Sequence, residues 1–122
     1  MAEAADPIID LAKLEDVSGN DPVFIASIVR SIIETLPGQL TAIRAACEAR
    51  DWTEVARTSH QTISTTTYVG SAEMQALLRS IEREAGEASP EARLPPLMER
   101  LKSLGDDVMR ALRDALASHE RS

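Results

Sequence analysis

Aromatic residues are nearly missing from this 122-residue chain, which has only Phe24, Trp52 and Tyr68. Glycine is scarce too, with five, while Ala, Leu and Ile are plentiful. A chain so short of strand-forming aromatics and turn glycines is suited to helices rather than sheets. A single cysteine, Cys47, excludes an internal disulfide and a thiolate metal cluster. No uninterrupted apolar run approaches the roughly 20 residues of a membrane span. The opening MAEAAD also lacks the basic-then-apolar layout of a signal peptide. The expectation is therefore no membrane insertion and a cytoplasmic setting. Bases are in deficit as well, and a net charge of −7 argues against nucleic acid, whose phosphates require clustered Lys and Arg. No P-loop, dinucleotide glycine pattern, metal-ligand spacing or Ser/His/Asp group is present. An ordinary enzyme is not indicated.

The length fits one domain, 1–122, with a core over about 7–117 and loose ends. Its charge is uneven. Residues 1–40 carry seven acids and two bases, residues 84–122 carry eight and six, and residues 41–83 balance at five and five. Thr58 to Ala72 has no formal charge apart from a protonated His60, so the surface around that histidine is predicted to be neutral.

Periodicity predicts the architecture. Asp10 caps a short helix over Leu11 to Val17, ended by Ser18-Gly19-Asn20. Asp21 caps a second helix with Pro22 at its first position, where a missing N–H costs nothing. Ile25, Ile28, Val29, Ile32, Ile33, Leu36, Leu40, Ile43 and Cys47 hold its stripe to about Ala49, and Pro37-Gly38 is predicted to kink or split it. Asp51 caps a third helix, with Glu54 in a capping-box position, and Gly70 closes it. Ser71 starts a fourth, with Met74, Leu77, Leu78 and Ile81 as its apolar face and an end near Gly86. After Ser89-Pro90 and Pro95-Pro96, a last helix carries Leu97, Leu101, Leu104, Val108, Leu112 and Leu116. The fold class read from this pattern is all-α: an antiparallel four-helix bundle with a short additional N-terminal helix. Cys47 reads as a small buried hydrophobe.

The third helix carries the functional signal. At 100° per residue, Thr53, Ala56, Arg57, His60, Ile63, Ser64 and Thr67 share one face. Val55, Thr58 or Ser59, Thr62, Thr66 and Val69 form the opposite one, so His60 is predicted to project away from the core. A histidine at mid-helix with small polar neighbours is a nucleophile candidate on a rigid platform. His119, the only other histidine, lies near the C-terminus, where chains commonly fray. Ile63 reads as an exposed apolar side chain beside His60 and part of a docking patch.

Asp51-Trp52, Ala56, His60, Val69 and Gly70 fall at offsets that resemble the histidine-containing phosphotransfer (HPt) domain family of multistep two-component signalling. The likeness takes in the short first helix, the Pro-containing second helix and Ser71 to Ala85, and covers most of residues 7–116. It implies a bundle with His60 as the phospho-accepting residue, a histidine phosphocarrier rather than a conventional enzyme. Such a carrier is either free-standing or the C-terminal domain of a hybrid histidine kinase. Its implied partners are receiver domains of response regulators or hybrid sensor kinases, docking on Ala56, Arg57, Ile63, Ser64 and Thr67. The implied cofactor is none of its own, with Mg²⁺ on the partner receiver, and a monomer is expected.

The family pattern runs close to H-x-L-K-G-S after the histidine. Here Thr62, Ile63 and Ser64 stand where Leu, Lys and Gly are usual. Ile63 removes a positive charge near the incoming phosphoryl group, and Arg57 is the nearby cation available to replace it. Gln61 and Glu54, as acceptors that could orient the ring, lie well off the His60 face. Two functions stay open: a phosphocarrier, and a degenerate module that docks receivers or other signalling proteins without phosphotransfer.

Overall fold

The computed structural model describes residues 8–121, and every regular element among them is helical. Residues 1–7 and 122, where loose ends were expected, lie outside that range, as does the expected start of the core at residue 7. The elements are α1 (Ala12–Ser18), α2 (Pro22–Glu48), α3 (Trp52–Thr65), α4 (Ala72–Ala85) and α5 (Pro90–Arg121), with a 3₁₀ turn at Thr66–Tyr68 after α3.

Local chemistry accounts for the boundaries. Asp10 does not cap directly; its carboxylate accepts the Ala12 N–H at 2.9 Å and α1 starts one residue later than predicted. Gly19 and Asn20 take left-handed φ of 66° and 63°, closing α1 within two residues. Asp21 accepts the Val23 N–H at 3.0 Å with Pro22 in the first turn, as the sequence indicates. Helix α2 then runs unbroken through Pro37-Gly38. By length and composition it could cross a membrane, but Ile25, Val29, Leu36, Leu40 and Ile43 are buried in the protein's core. Asp51 accepts the Glu54 N–H at 3.2 Å, which is half of the predicted capping box. The other half is absent because the Glu54 carboxylate turns to Arg57.

Helix α5 departs most from expectation. It begins at Pro90, seven residues before Leu97, and passes through Pro95 and Pro96. These prolines lie near its start, and the carbonyls they leave unbonded, of Glu91 and Ala92, belong to exposed residues open to water. Leu94 is fully buried and anchors this first stretch, so the core stripe is Leu94, Met98, Leu101, Leu104, Val108 and Leu112, with Leu97 and Leu116 at its margin. The helix also continues past residue 117, so His119 is helical and half-buried beside Pro22, Val23 and Ala26.

The four long helices pack in the cyclic order α2, α3, α4, α5 and back to α2, around one continuous apolar core. Short α1 lies against α2. The Asp10 N–H donates to the Val69 carbonyl at 2.9 Å, tying the segment before α1 to the α3–α4 turn. Gly70, at φ 72°, permits this approach, because a side chain there would run into the Asp10 carbonyl. Ser71 accepts the Met74 N–H at 3.2 Å and starts α4.

Candidate functional site

Helix α3 is cut lengthwise into two chemistries. Val55, Thr58, Ser59 and Thr62 are buried, as the helical wheel indicates, and so are Thr66 in the 3₁₀ turn beyond it and Val69 just after that turn. The hydroxyls among them are mostly satisfied within the helix: Thr62 donates to the Thr58 carbonyl at 2.7 Å and Thr66 to the Ile63 carbonyl at 2.9 Å. The Ser59 hydroxyl is buried without a hydrogen-bond partner.

His60 stands on the outer face with 73% of its side chain exposed. Its Nδ1 lies 3.1 Å from the Glu82 carboxylate of α4. An ionised carboxylate only accepts hydrogen bonds, so Nδ1 carries the hydrogen and Nε2 is left with its lone pair toward solvent. Ala56, Arg57, His60, Gln61 and Glu82 line one shallow depression between α3 and α4.

Glu82 is the site residue that the sequence alone does not reveal. It reads as part of a solvated acid–base run, and its 22-residue separation from His60 is bridged only by the return of α4 along α3. The predicted neutral surface around His60 is corrected for the same reason: residues 58–72 carry no formal charge of their own, but α4 lays a carboxylate against the imidazole.

Arg57 is already occupied. Its Nε donates to Glu54 Oε1 at 2.8 Å and its Nη2 to Oε2, a two-pronged pair within one turn of helix. The hydrogen bond from Arg57 holds the Glu54 carboxyl below the usual carboxylate range, and the same bond raises the guanidinium further. The remaining face residues differ in exposure. Ser64 is exposed, whereas Ala56, Ile63 and Thr67 are half-buried. Ile63 is therefore not the isolated exposed hydrophobe read from the sequence, for it packs against the edge of the core. Away from this face, Cys47 is half-buried rather than buried and lines a cleft of about 500 Å³ with Arg44, Trp52, Met98 and Lys102. Burial pushes its thiol up, with help from Glu48, so it is a poor nucleophile.

An all-helical domain that presents one mid-helix histidine to solvent, with one ring nitrogen engaged and the other free, has the form of a histidine phosphotransfer domain. The chain belongs to the Hpt domain family, whose model matches residues 27–119. Its fold is similar to the crystal structure of histidine-containing phosphotransfer protein B (HptB) from Pseudomonas aeruginosa PAO1, with a TM-score of 0.77 over 97% of this chain and 99% of that one, at 18% identity. No curated protein matches the sequence. Family and fold together support a role in histidine phosphotransfer within two-component signalling.

Proposed function

We propose that the protein is a phosphorelay carrier that takes a phosphoryl group onto His60 from the aspartyl-phosphate of one receiver domain and passes it to another. The observation that carries this reading is the His60–Glu82 contact, which leaves Nε2 free on an exposed ring. In the forward step the Nε2 lone pair attacks phosphorus, the P–O bond to the receiver's carboxylate breaks, and that carboxylate leaves with the electron pair. The Nδ1 hydrogen stays on the ring throughout, and the Glu82 carboxylate offsets the positive charge that the imidazole acquires. The reverse step onto a second receiver uses the same atoms. A receiver would bring Mg²⁺ to shield the phosphoryl oxygens, and the carrier itself needs no metal for this chemistry.

The docking face in this reading is Ala56, Arg57, Ile63 and Ser64, ranged along α3 with His60, and Thr67 in the 3₁₀ turn that follows. The four long helices form an antiparallel four-helix bundle with α1 added at its N-terminal side, one domain over 1–122, monomeric and cytoplasmic. The receivers belong to response regulators or hybrid sensor kinases.

The second reading, a module that docks receivers without accepting phosphate, is favoured by Ile63 and Ser64 in place of Lys-Gly. Phosphotransfer from a panel of phosphorylated receivers, read by intact mass at mildly alkaline pH, separates the two. A carrier gains about 80 Da in wild type and none in His60→Gln. Binding to receivers without any gain in mass would leave only the docking module.

A further inference from the structure

A phosphoryl group on His60 would bring negative charge to a place where Glu82 already stands, where position 63 offers an isoleucine and where Arg57 is held by Glu54. The neighbouring helix offers another cation. Helix α4 returns along α3 after the turn at 66–71, and the His60–Glu82 contact fixes the register of the pair. In antiparallel neighbours the numbers of facing positions keep a constant sum. A step of three from His60 to Ile63 is therefore met by a step of three from Glu82 back to Arg79.

Arg79 is exposed and, among the described residues, has no hydrogen-bond or ion-pair partner. The opposite edge of α4 is turned to α5, through Glu73 with Arg100 and Glu84 with Arg93, so Arg79 shares the Glu82 side. Arg79 stands three residues along α4 from Glu82, about 4.5 Å along the axis from the level of His60, an offset that a long arginine side chain can span. The guanidinium fork also fits phosphate oxygens better than an ammonium does.

We propose that Arg79, reaching across from α4, binds the phosphoryl group carried by His60 and takes the place of the lysine that position 63 lacks. This rests on the carrier reading above, and the test keeps the two apart. Potassium phosphoramidate serves as the donor: its P–N bond breaks, a bond from phosphorus to Nε2 forms, and ammonia leaves from the donor's ammonium form. Phosphorus NMR then follows the phosphohistidine signal as pH is varied in wild type, Arg79→Ala, Arg79→Lys and Arg57→Ala.

A bound cation favours the more ionised phosphoryl group. Its titration midpoint is therefore expected to rise by about half a pH unit in Arg79→Ala, to return toward wild type in Arg79→Lys, and to stay unchanged in Arg57→Ala. The difference should fade near 1 M salt, where charges are screened within about 3 Å. A purely structural role for Arg79 would move none of these midpoints. Overlapping titrations for wild type and Arg79→Ala, or a shift in Arg57→Ala instead, would overturn the assignment of Arg79 and leave the carrier intact. Failure of wild type to form any phosphohistidine, with phosphoramidate or with receivers, would overturn the carrier reading and this inference with it.

Discussion

Among the described residues His60 Nδ1 has one partner, Glu82, and a free imidazole would divide its hydrogen between both ring nitrogens. Glu82→Ala is therefore expected to yield a mixture of tautomers by nitrogen NMR of the ring, and to slow phosphoryl acceptance on the order of fivefold, about the worth of one hydrogen bond. An unchanged ring spectrum would remove Glu82 from the mechanism. The pair of Glu54 and Arg57 makes a second residue-scale prediction. The folded state depresses the Glu54 carboxyl, chiefly through the Arg57 hydrogen bond. Its contribution to stability is thus present at neutral pH and is lost as pH falls through and below the usual carboxylate range. The thermal midpoint of Glu54→Gln should accordingly fall less steeply on acidification than that of wild type, by a small margin because the pair is exposed. At this scale the sequence discloses what periodicity controls: His60 outward, Val55, Thr62 and Val69 inward. It does not disclose Glu82, because nothing local to residue 82 marks it as the neighbour of a histidine 22 residues earlier on the preceding helix.

Elements show the same division between local and distant causes. Caps at Asp21, Asp51 and Ser71 were legible, since each is a short-range bond between a side chain and a backbone N–H two or three residues on. The start of α5 was not, because Pro95-Pro96 reads as a break when the burial of Leu94 is unknown. Gly70 reads in the sequence as the close of α3, but the α-helix ends at Thr65 and a 3₁₀ turn over Thr66–Tyr68 intervenes; the task Gly70 does perform, admitting the Asp10 backbone, depends on a residue 60 positions earlier. Two glycine substitutions are expected to have opposite signs. Gly70→Ala forces a side chain into both a left-handed conformation and the Asp10 carbonyl, and should cost about 2 kcal/mol or more. Gly38→Ala, within α2 with open space at its Cβ, should stabilise by about 0.5–1 kcal/mol. Urea unfolding of the two variants checks the pair, and a neutral Gly70→Ala would mean that the segment before α1 is not held at the turn.

Across the whole molecule, one apolar core joins all five helices, so unfolding is expected as a single cooperative transition. Leu78→Ala, at a fully buried position on α4, should lower stability by about 3 kcal/mol without splitting that transition. Two separable transitions in the variant would contradict a shared core. The helical class was readable from composition and stripe, but the cyclic packing order is a property of the assembled helices, as is the charge around His60. Trp52 brings out one further consequence of this arrangement. It is the lone tryptophan, half-buried at the start of α3 in the cleft beside Cys47 and Met98. His60 lies eight residues further on, about 12 Å along the axis at the usual rise. The molecule thus contains one indole fluorophore, seated where α2, α3 and α5 meet, so tryptophan emission should report loss of that corner and stay nearly silent on the proposed phosphorylation of His60.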